Sequence, residues 1–325
     1  MNVVVVISGG MTETLQAAPL IATLAVATGS PVVVACPPTA GDMARDLAGV
    51  VEVITVPALG NRGHPLGLAR LWRQLRRRRV DIAMLCTDAA AVRTAVYVSG
   101  VPRRIGCAGG VSERLLSDSV PCRAGENRTL AWLGLLGPLG MDPIPAAAHF
   151  SPGAASSAVA EQLLLSNGVG DGRLLVAIAP ANGFSDEPVT AWAPERYAHL
   201  ANRLASRHGA GVILLGDAGD RAAVDAMCID LAAETVDLCG ELNLATTAAV
   251  LARCDLLIAA DTPLLHLSAA VDTPSVGLFG PTDGRRRAPA GREHRVVQAL
   301  PDEHGAATLA RIRVDDVLAG IESAL

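Results

Sequence analysis

Two short stretches hold the residue types and spacings most able to do chemistry. In "ISGGMTETLQAAP" an apolar run ends at Gly9-Gly10, Thr12 opens a helical pattern, and Glu13 falls in its first turn. A capped helix start with a dipole-favoured carboxylate accounts for this. So does a glycine turn that lets a substrate approach the backbone, with Glu13 as general base. In "LLIAADTPLLHLSAAVDTPSVGLFGPTD" the run Leu256 to Ala260 stops at Asp261-Thr262-Pro263. A helical pattern from Leu264 to Val271 carries His266, and a second apolar run, Ser275 to Phe279, stops at Gly280-Pro281-Thr282-Asp283. Thr262 is placed to cap that helix and Pro263 suits its first turn. A helix start at the carboxyl edge of a sheet offers free amides to an anion. A capped helix without a ligand, and a core or surface place for His266, fit the same residues.

Weaker signals lie elsewhere. "LLGDAGDRAAV" runs from strand through Gly216 and an acidic loop to a helix, so Asp217 or Asp220 could accept from ribose hydroxyls or simply cap. "GVPRRIG" puts Arg103 and Arg104 at the start of what reads as an edge strand, facing surface carboxylates or an anionic acceptor. Arg93 joins Gly9, Gly10, Thr12, Arg103 and Arg104 as an acceptor-side candidate. G-x-G-x-x-G is absent, so no dinucleotide fingerprint is present.

The elements that must position these residues alternate between short β-branched runs and helix-period segments. Strands are expected at Val3 to Ile7, Pro31 to Ala35, Val51 to Val56, Asp81 to Leu85 and Arg104-Ile105, with helices at Thr14 to Thr28 and Gly41 to Ala48. After a helix from Arg128 to Gly140, residues 141–157 are rich in Pro, Ala and Ser and read as a linker. The alternation then restarts. Strands are expected at Leu174 to Ala179, Gly211 to Leu215, Val236 to Leu238, Leu256 to Ala260 and Ser275 to Leu278. Helices are expected at Pro194 to His208, Asp220 to Glu234, Ala245 to Arg253 and Val314 to Leu325. This is an α/β chain of two doubly wound, Rossmann-like parallel-sheet domains, 1–150 and 151–325, with a ligand site expected in a cleft between them. The last helix can pack back on the first domain.

Composition narrows the classes. Half of the 325 residues are apolar and 18% are charged, as in a folded globular chain. Every one of the 27 basic residues is arginine, which with the alanine content points to a GC-rich genome. A net charge of −5 argues against nucleic acid as a partner. The run Arg76 to Arg79 reads as a solvated helix end, with a phosphate- or membrane-facing patch as the alternative. Seven cysteines without a C-x-x-C pair, most in apolar runs, read as buried thiols in a reducing compartment, hence a cytoplasmic protein. No stretch suits a signal peptide or a bilayer span, so no stable membrane insertion is expected.

Several stretches together resemble glycosyltransferase family 9, the ADP-heptose:lipopolysaccharide heptosyltransferases. They are "CGELNLATTAAVLARCDLLIAADTPLLHLSAAVDTPSVGLFGPTDGRRRAPAG", "TETLQAAPLIATL", "SGVPRRIG", "RTLAWLGLLGPLG" and "AWAPERYAHLANRL", spread in order over nearly the whole chain. The resemblance implies a GT-B fold and a monomeric, inverting, metal-independent sugar transferase without a cofactor. An ADP-heptose or related donor would sit on the C-terminal domain and a saccharide acceptor on the N-terminal one. The acceptor would be lipopolysaccharide core or, in an organism without an outer membrane, a natural-product glycoside. The family's catalytic aspartate stands six residues before a proline; counted back from Pro19, that position is Glu13. The donor would contact Asp261, Thr262, Pro263, Leu264, His266, Thr190, Gly216, Asp217, Asp220, Gly280 and Thr282. Other readings are a nucleotide-sugar-binding protein with a decayed site, or another GT-B enzyme such as an epimerase.

Three departures bear on that expectation. Glutamate replaces aspartate at position 13, which moves the base by ~1 Å. The family's D-T-G is Asp261-Thr262-Pro263, and Pro263 brings no N–H to a phosphate. The family's K-x-W is Thr190-Ala191-Trp192, and Arg285, Arg286 and Arg287 are positioned to supply the lost charge.

Overall fold

The computed structural model describes residues 2–57, 59, 64–123, 125–142, 150–169, 172–180, 192–291 and 293–322. They divide into two compact units, Met1–Ser151 and Pro152–Leu325.

In the first unit the chain runs β1 (Val3–Ile7), α1 (Met11–Gln16), α2 (Ala18–Thr28), β2 (Val32–Cys36), α3 (Gly41–Arg45), β3 (Val50–Thr55) and α4 (Pro65–Arg78). It continues through β4 (Ile82–Cys86), α5 (Ala90–Val98), β5 (Arg103–Cys107), β6 (Asp118–Val120) and α6 (Arg128–Leu133). The six strands are parallel in the order β3-β2-β1-β4-β5-β6. β1 and β4 are fully buried apolar runs, Val-Val-Val-Val-Ile and Ile-Ala-Met-Leu-Cys, as a strand covered on both faces must be.

The second unit runs α7 (Gly153–Ser166), β7 (Leu175–Ala179), α8 (Pro194–His208), β8 (Gly211–Leu214), α9 (Arg221–Ile229), β9 (Thr235–Asp237) and α10 (Leu244–Leu251). It ends β10 (Leu256–Ala260), α11 (Pro263–Ala270), β11 (Ser275–Phe279), α12 (Gly284–Arg287), β12 (His294–Gln298) and α13 (Val314–Glu322). Its strand order β12-β11-β10-β7-β8-β9 is the first unit's order over again, counted from β7. In each sheet the order reverses between the unit's first and fourth strands, β1 and β4 or β7 and β10. That reversal opens a crevice beyond the strands' carboxyl ends, where ligands of such sheets bind.

The structure corrects several expectations. The helix read as starting at Thr14 begins at Met11 and breaks at Ala17, because Pro19 cannot continue the ladder of α1. β5 is not an edge strand: β6 lies outside it, and the polar triplet Asp-Ser-Val carries too little pattern to be seen in the sequence. The stretch read as linker contains the start of α7 at Gly153; residues 143–149 of it lie outside the described residues. Helix α13 buries Val317, Leu318 and Ile321 in its own unit's core. Two cysteines read as buried thiols, Cys107 and Cys122, form a disulfide between the end of β5 and the segment after β6, and Cys228 is exposed. Among the described residues no helix is long and apolar enough to cross a membrane.

Candidate active site

Glu13 leaves the sheet at the first unit's reversal point. β1 ends at Ile7; Ser8 follows, and its hydroxyl shares a 2.5 Å hydrogen bond with that of Thr87, just past β4. Thr87 Oγ1 also accepts from the Ala89 amide at 3.1 Å, so the mouths of β1 and β4 are stitched together under the turn. Gly10 is the residue before α1, and both the amide and the hydroxyl of Thr14 donate to its carbonyl, at 3.2 and 2.9 Å. Glu13 is therefore in the first turn of α1, half-buried, as are Gly9, Gly10 and Thr12.

Gly9 has a job the sequence does not reveal. A Cβ there would sit 2.4 Å from Glu13 Cδ and 2.6 Å from Oε2, so the Glu13 side chain lies across the bare α-carbon of Gly9. The glycine supplies room rather than an unusual backbone angle, since its φ is not among the positive ones.

The three arginines on this unit part company. Arg93 is buried and works at the carboxyl edge. Its guanidinium donates to the carbonyls of Thr87 (3.2 Å) and Cys107 (2.9 Å) and to Asp88 (3.0 Å), tying the ends of β4 and β5 together. Arg103 and Arg104 stand at the opposite edge. Arg103 is in register with Ile82 and Ile82 with Val3, four residues back from Ile7, about 13 Å along the strand. There Arg103 grips Asp118 through two bonds of 3.2 and 3.3 Å, and Arg104 donates to the carbonyls of Leu115, Val101 and Pro102. The structure does not bring these two to Glu13.

On the second unit, Asp261 and Thr262 follow β10, again beside a reversal point. Thr262 precedes α11 as expected, but its side chain caps nothing: Oγ1 is buried with no hydrogen-bond partner among the described residues. Pro263 and Leu264 are buried, so Leu264 offers a ligand only its backbone. Asp261 is 7% exposed at its side chain and forms an ion pair with Arg287, Oδ2 to Nε 2.6 Å. Of the three arginines expected to supply charge, Arg287 is thus joined to the site, through Asp261. Gly280 and Thr282 are held by Gln298 on β12, whose amide nitrogen donates to the carbonyls of Phe279, Gly280 and Thr282 and whose oxygen accepts from Gly284. Gly280 also leaves room for the backbone at Leu309, 2.9 Å from where its Cβ would be. Gln298 was not foreseen; its strand, "HRVVQ", alternates too weakly with polar residues to stand out.

The loop at Gly216 accounts for itself. Asp217 accepts from the Gly219 amide at 2.7 Å and the buried Asp220 from the Asp217 amide at 2.9 Å, a reciprocal cap with Gly216 packed against Asp220. Thr190 lies outside the described residues.

His266 is buried on α11. Burial first, then electrostatic interaction with Arg287 and with His294, pushes it down to about 3, so the imidazole is neutral in the folded chain. Burial lowers His294 as well. An unfolded histidine takes its proton near 6.5, so the stability tied to neutral His266 is complete above that pH and is lost as pH falls toward 3. Unfolding free energies from denaturant melts between about pH 7.5 and about pH 4.5 should fall by at most about 1.4 kcal/mol per pH unit on this account. His266→Gln should flatten the slope, and an unchanged slope would contradict the assignment.

A family model described as Glycosyltransferase family 9 (heptosyltransferase) matches residues 68–311. The chain is 27% identical over 301 residues to a lipopolysaccharide heptosyltransferase 2 of Salmonella typhimurium, covering 85% of this chain and 80% of that one. Among solved structures, it superposes on a glycosyl transferase family 9 protein from Veillonella parvula with a TM-score of 0.84 at 18% identity, covering 99% and 96% of the two chains. An E. coli heptosyltransferase solved with ADP-2-deoxy-2-fluoro heptose gives a TM-score of 0.76 at 18% identity, with both chains fully covered. The fold is the GT-B fold of these heptosyltransferases.

Proposed function

The chain belongs to glycosyltransferase family 9, and from that premise we propose that it moves a heptose, or a closely related sugar, from an ADP-sugar to a hydroxyl of a saccharide acceptor with inversion and without a metal. Glu13 takes the proton of the acceptor hydroxyl as its oxygen attacks the anomeric carbon. The bond from that carbon to the diphosphate breaks, and ADP leaves with the electron pair. The acceptor is a saccharide on lipopolysaccharide core or a natural-product glycoside. Five of the seven cysteines are free thiols, which supports a cytoplasmic setting with the Cys107–Cys122 bridge as an exception to it.

One observation carries the donor half of this reading: the buried, unpartnered hydroxyl of Thr262 at the start of α11. A buried donor left without a partner costs about 1–3 kcal/mol, and a diphosphate oxygen would satisfy it. The first-turn amides and the helix dipole add to the same anion, and their charge complements what develops on the leaving group. Pro263 removes one amide from that cradle, which makes the hydroxyl above it the more valuable.

Thr262→Val keeps the shape and removes the hydroxyl. ADP binding, measured by calorimetry, should weaken by roughly tenfold to a hundredfold, as for loss of a hydrogen bond to a charged group. Thermal stability should hold or rise, because the unliganded chain loses an unsatisfied group. Unchanged ADP affinity would remove the support for the donor site. Incubation with ADP-heptose should yield ADP slowly even without acceptor; a chain that binds ADP and releases none from the sugar nucleotide is a binder and not a transferase.

A further inference from the structure

The chain is acidic overall, yet one helix of the first unit is strongly basic. Between His64 and Val80 there are six arginines and no carboxylate. Helical spacing sends Gly67, Leu71 and Leu75 inward and leaves Arg70, Arg73, Arg76 and Arg77 exposed on the outer side of α4. Arg78, on the flank, is occupied by Glu52 and Gln74. The four outer arginines have no ion-pair partner among the described residues. α5 and the turn after it add no carboxylate before Arg103.

Apolar side chains stand among these charges. Leu66, on the same outer side, is 75% exposed. Trp72 is 37% exposed, lies under the Arg76 guanidinium at 5.5 Å, and donates from its indole to the Val98 carbonyl at 3.3 Å. That bond joins it to Tyr97 and Val98 at the end of α5, which are 49% and 55% exposed. An ion-paired, solvated helix end would show neither feature: its arginines would meet carboxylates, and its outer face would be free of leucine and tryptophan.

We infer that α4 and the end of α5 form a docking face for an anionic lipid bilayer. Arginines reach the headgroup phosphates while Leu66, Trp72 and Val98 enter the boundary between headgroups and acyl chains. α4 is about 21 Å long and too short and polar to span, so it lies on the surface. Each arginine near an anionic leaflet is worth about fivefold in binding, so four give several-hundredfold before any apolar contribution. The net charge of −5 opposes this only weakly, since charges beyond about 8 Å are screened at physiological salt. Nucleic acid is disfavoured because Leu66 and Val98 have nothing to meet on a phosphate backbone.

The full-length chain would be sedimented with vesicles of phosphatidylglycerol mixed with phosphatidylcholine, and with phosphatidylcholine alone. Binding to the anionic vesicles only is expected, weakening with salt. The variant R70Q/R73Q/R77Q should bind about a hundredfold more weakly, while R285Q should bind as the parent does. Circular dichroism and melting of the triple variant would confirm that it folds. Tryptophan emission gives a local readout, because Trp132 and Trp192 are buried and a blue shift on anionic vesicles reports Trp72; W72F should abolish it. Absence of binding to anionic vesicles, equal binding by the triple variant, or tighter binding to a duplex DNA fragment than to the vesicles would each overturn the inference. None of these outcomes touches the transferase reading, since no turnover is measured.

Discussion

Glu13→Gln should slow sugar transfer by between about 10² and 10⁴-fold, the range for loss of a general base, while ADP binding stays as it was. Glutamine keeps the length and volume of the side chain and removes only its ability to accept a proton. No large stability change is expected, because Glu13 is half-buried at the surface end of α1. Gly9 provides the sharper test. Its missing Cβ is where Glu13 Cδ, Cγ and Oε2 now rest, 2.4–2.6 Å from the site a methyl would take. Gly9→Ala must displace something, and the far end of a flexible side chain moves more cheaply than backbone. The expected result is a folded enzyme with its carboxylate shifted by ~1 Å and transfer reduced by roughly 10²-fold. In the double variant the two losses should not add: once the carboxylate is gone, moving it costs nothing further. Full transfer by E13Q, or additive losses in the pair, would mean that the proton goes elsewhere.

Much of this architecture is written plainly in the chain. Val3 to Ile7 and Leu256 to Ala260 are unbroken apolar runs, and their boundaries could be read directly because strands buried on both faces have no polar positions to confuse them. Glu13 and Thr262 could be singled out because each follows such a run at a helix start. Strand order was not legible, since pairing between β1 and β4, or β7 and β10, depends on contacts far apart in sequence. It is that order which sets both residues beside a reversal point. The role of Gly9 was missed for a similar reason: a glycine before a helix suggests a turn, and only coordinates show a side chain lying over it. The Cys107–Cys122 bridge left no local signal, because connectivity does not follow from spacing. Arg103 and Arg104 misled because adjacency to a turn says nothing about which edge of the sheet the turn is on.

Arg287→Met should destabilise the second unit by about 3–5 kcal/mol, whereas Arg286→Met should change stability by less than about 0.5 kcal/mol. The difference lies in what Arg287 touches. Its Nε is 2.6 Å from Asp261 Oδ2, and the aspartate side chain is only 7% exposed. Removing the guanidinium leaves a buried carboxylate without the cation that pairs with it among the described residues. Asp261→Asn should cost less, because the charge it strands, Arg287, is 33% exposed and can turn outward. Together, D261N and R287M should recover most of the loss, since replacing both members of a buried pair is close to neutral where removing one is not. ADP affinity adds a second axis. With Arg287 gone, the bare Asp261 carboxylate repels the diphosphate at the neighbouring Thr262, so R287M should bind ADP worst, the double variant better and the parent best. His266 is the internal control: Arg287 is among the groups holding it down, so its titration should move upward in R287M. Equal melting of the Arg286 and Arg287 variants would mean that the pair contributes nothing, and the charge beside the donor would then have to come from another part of the chain.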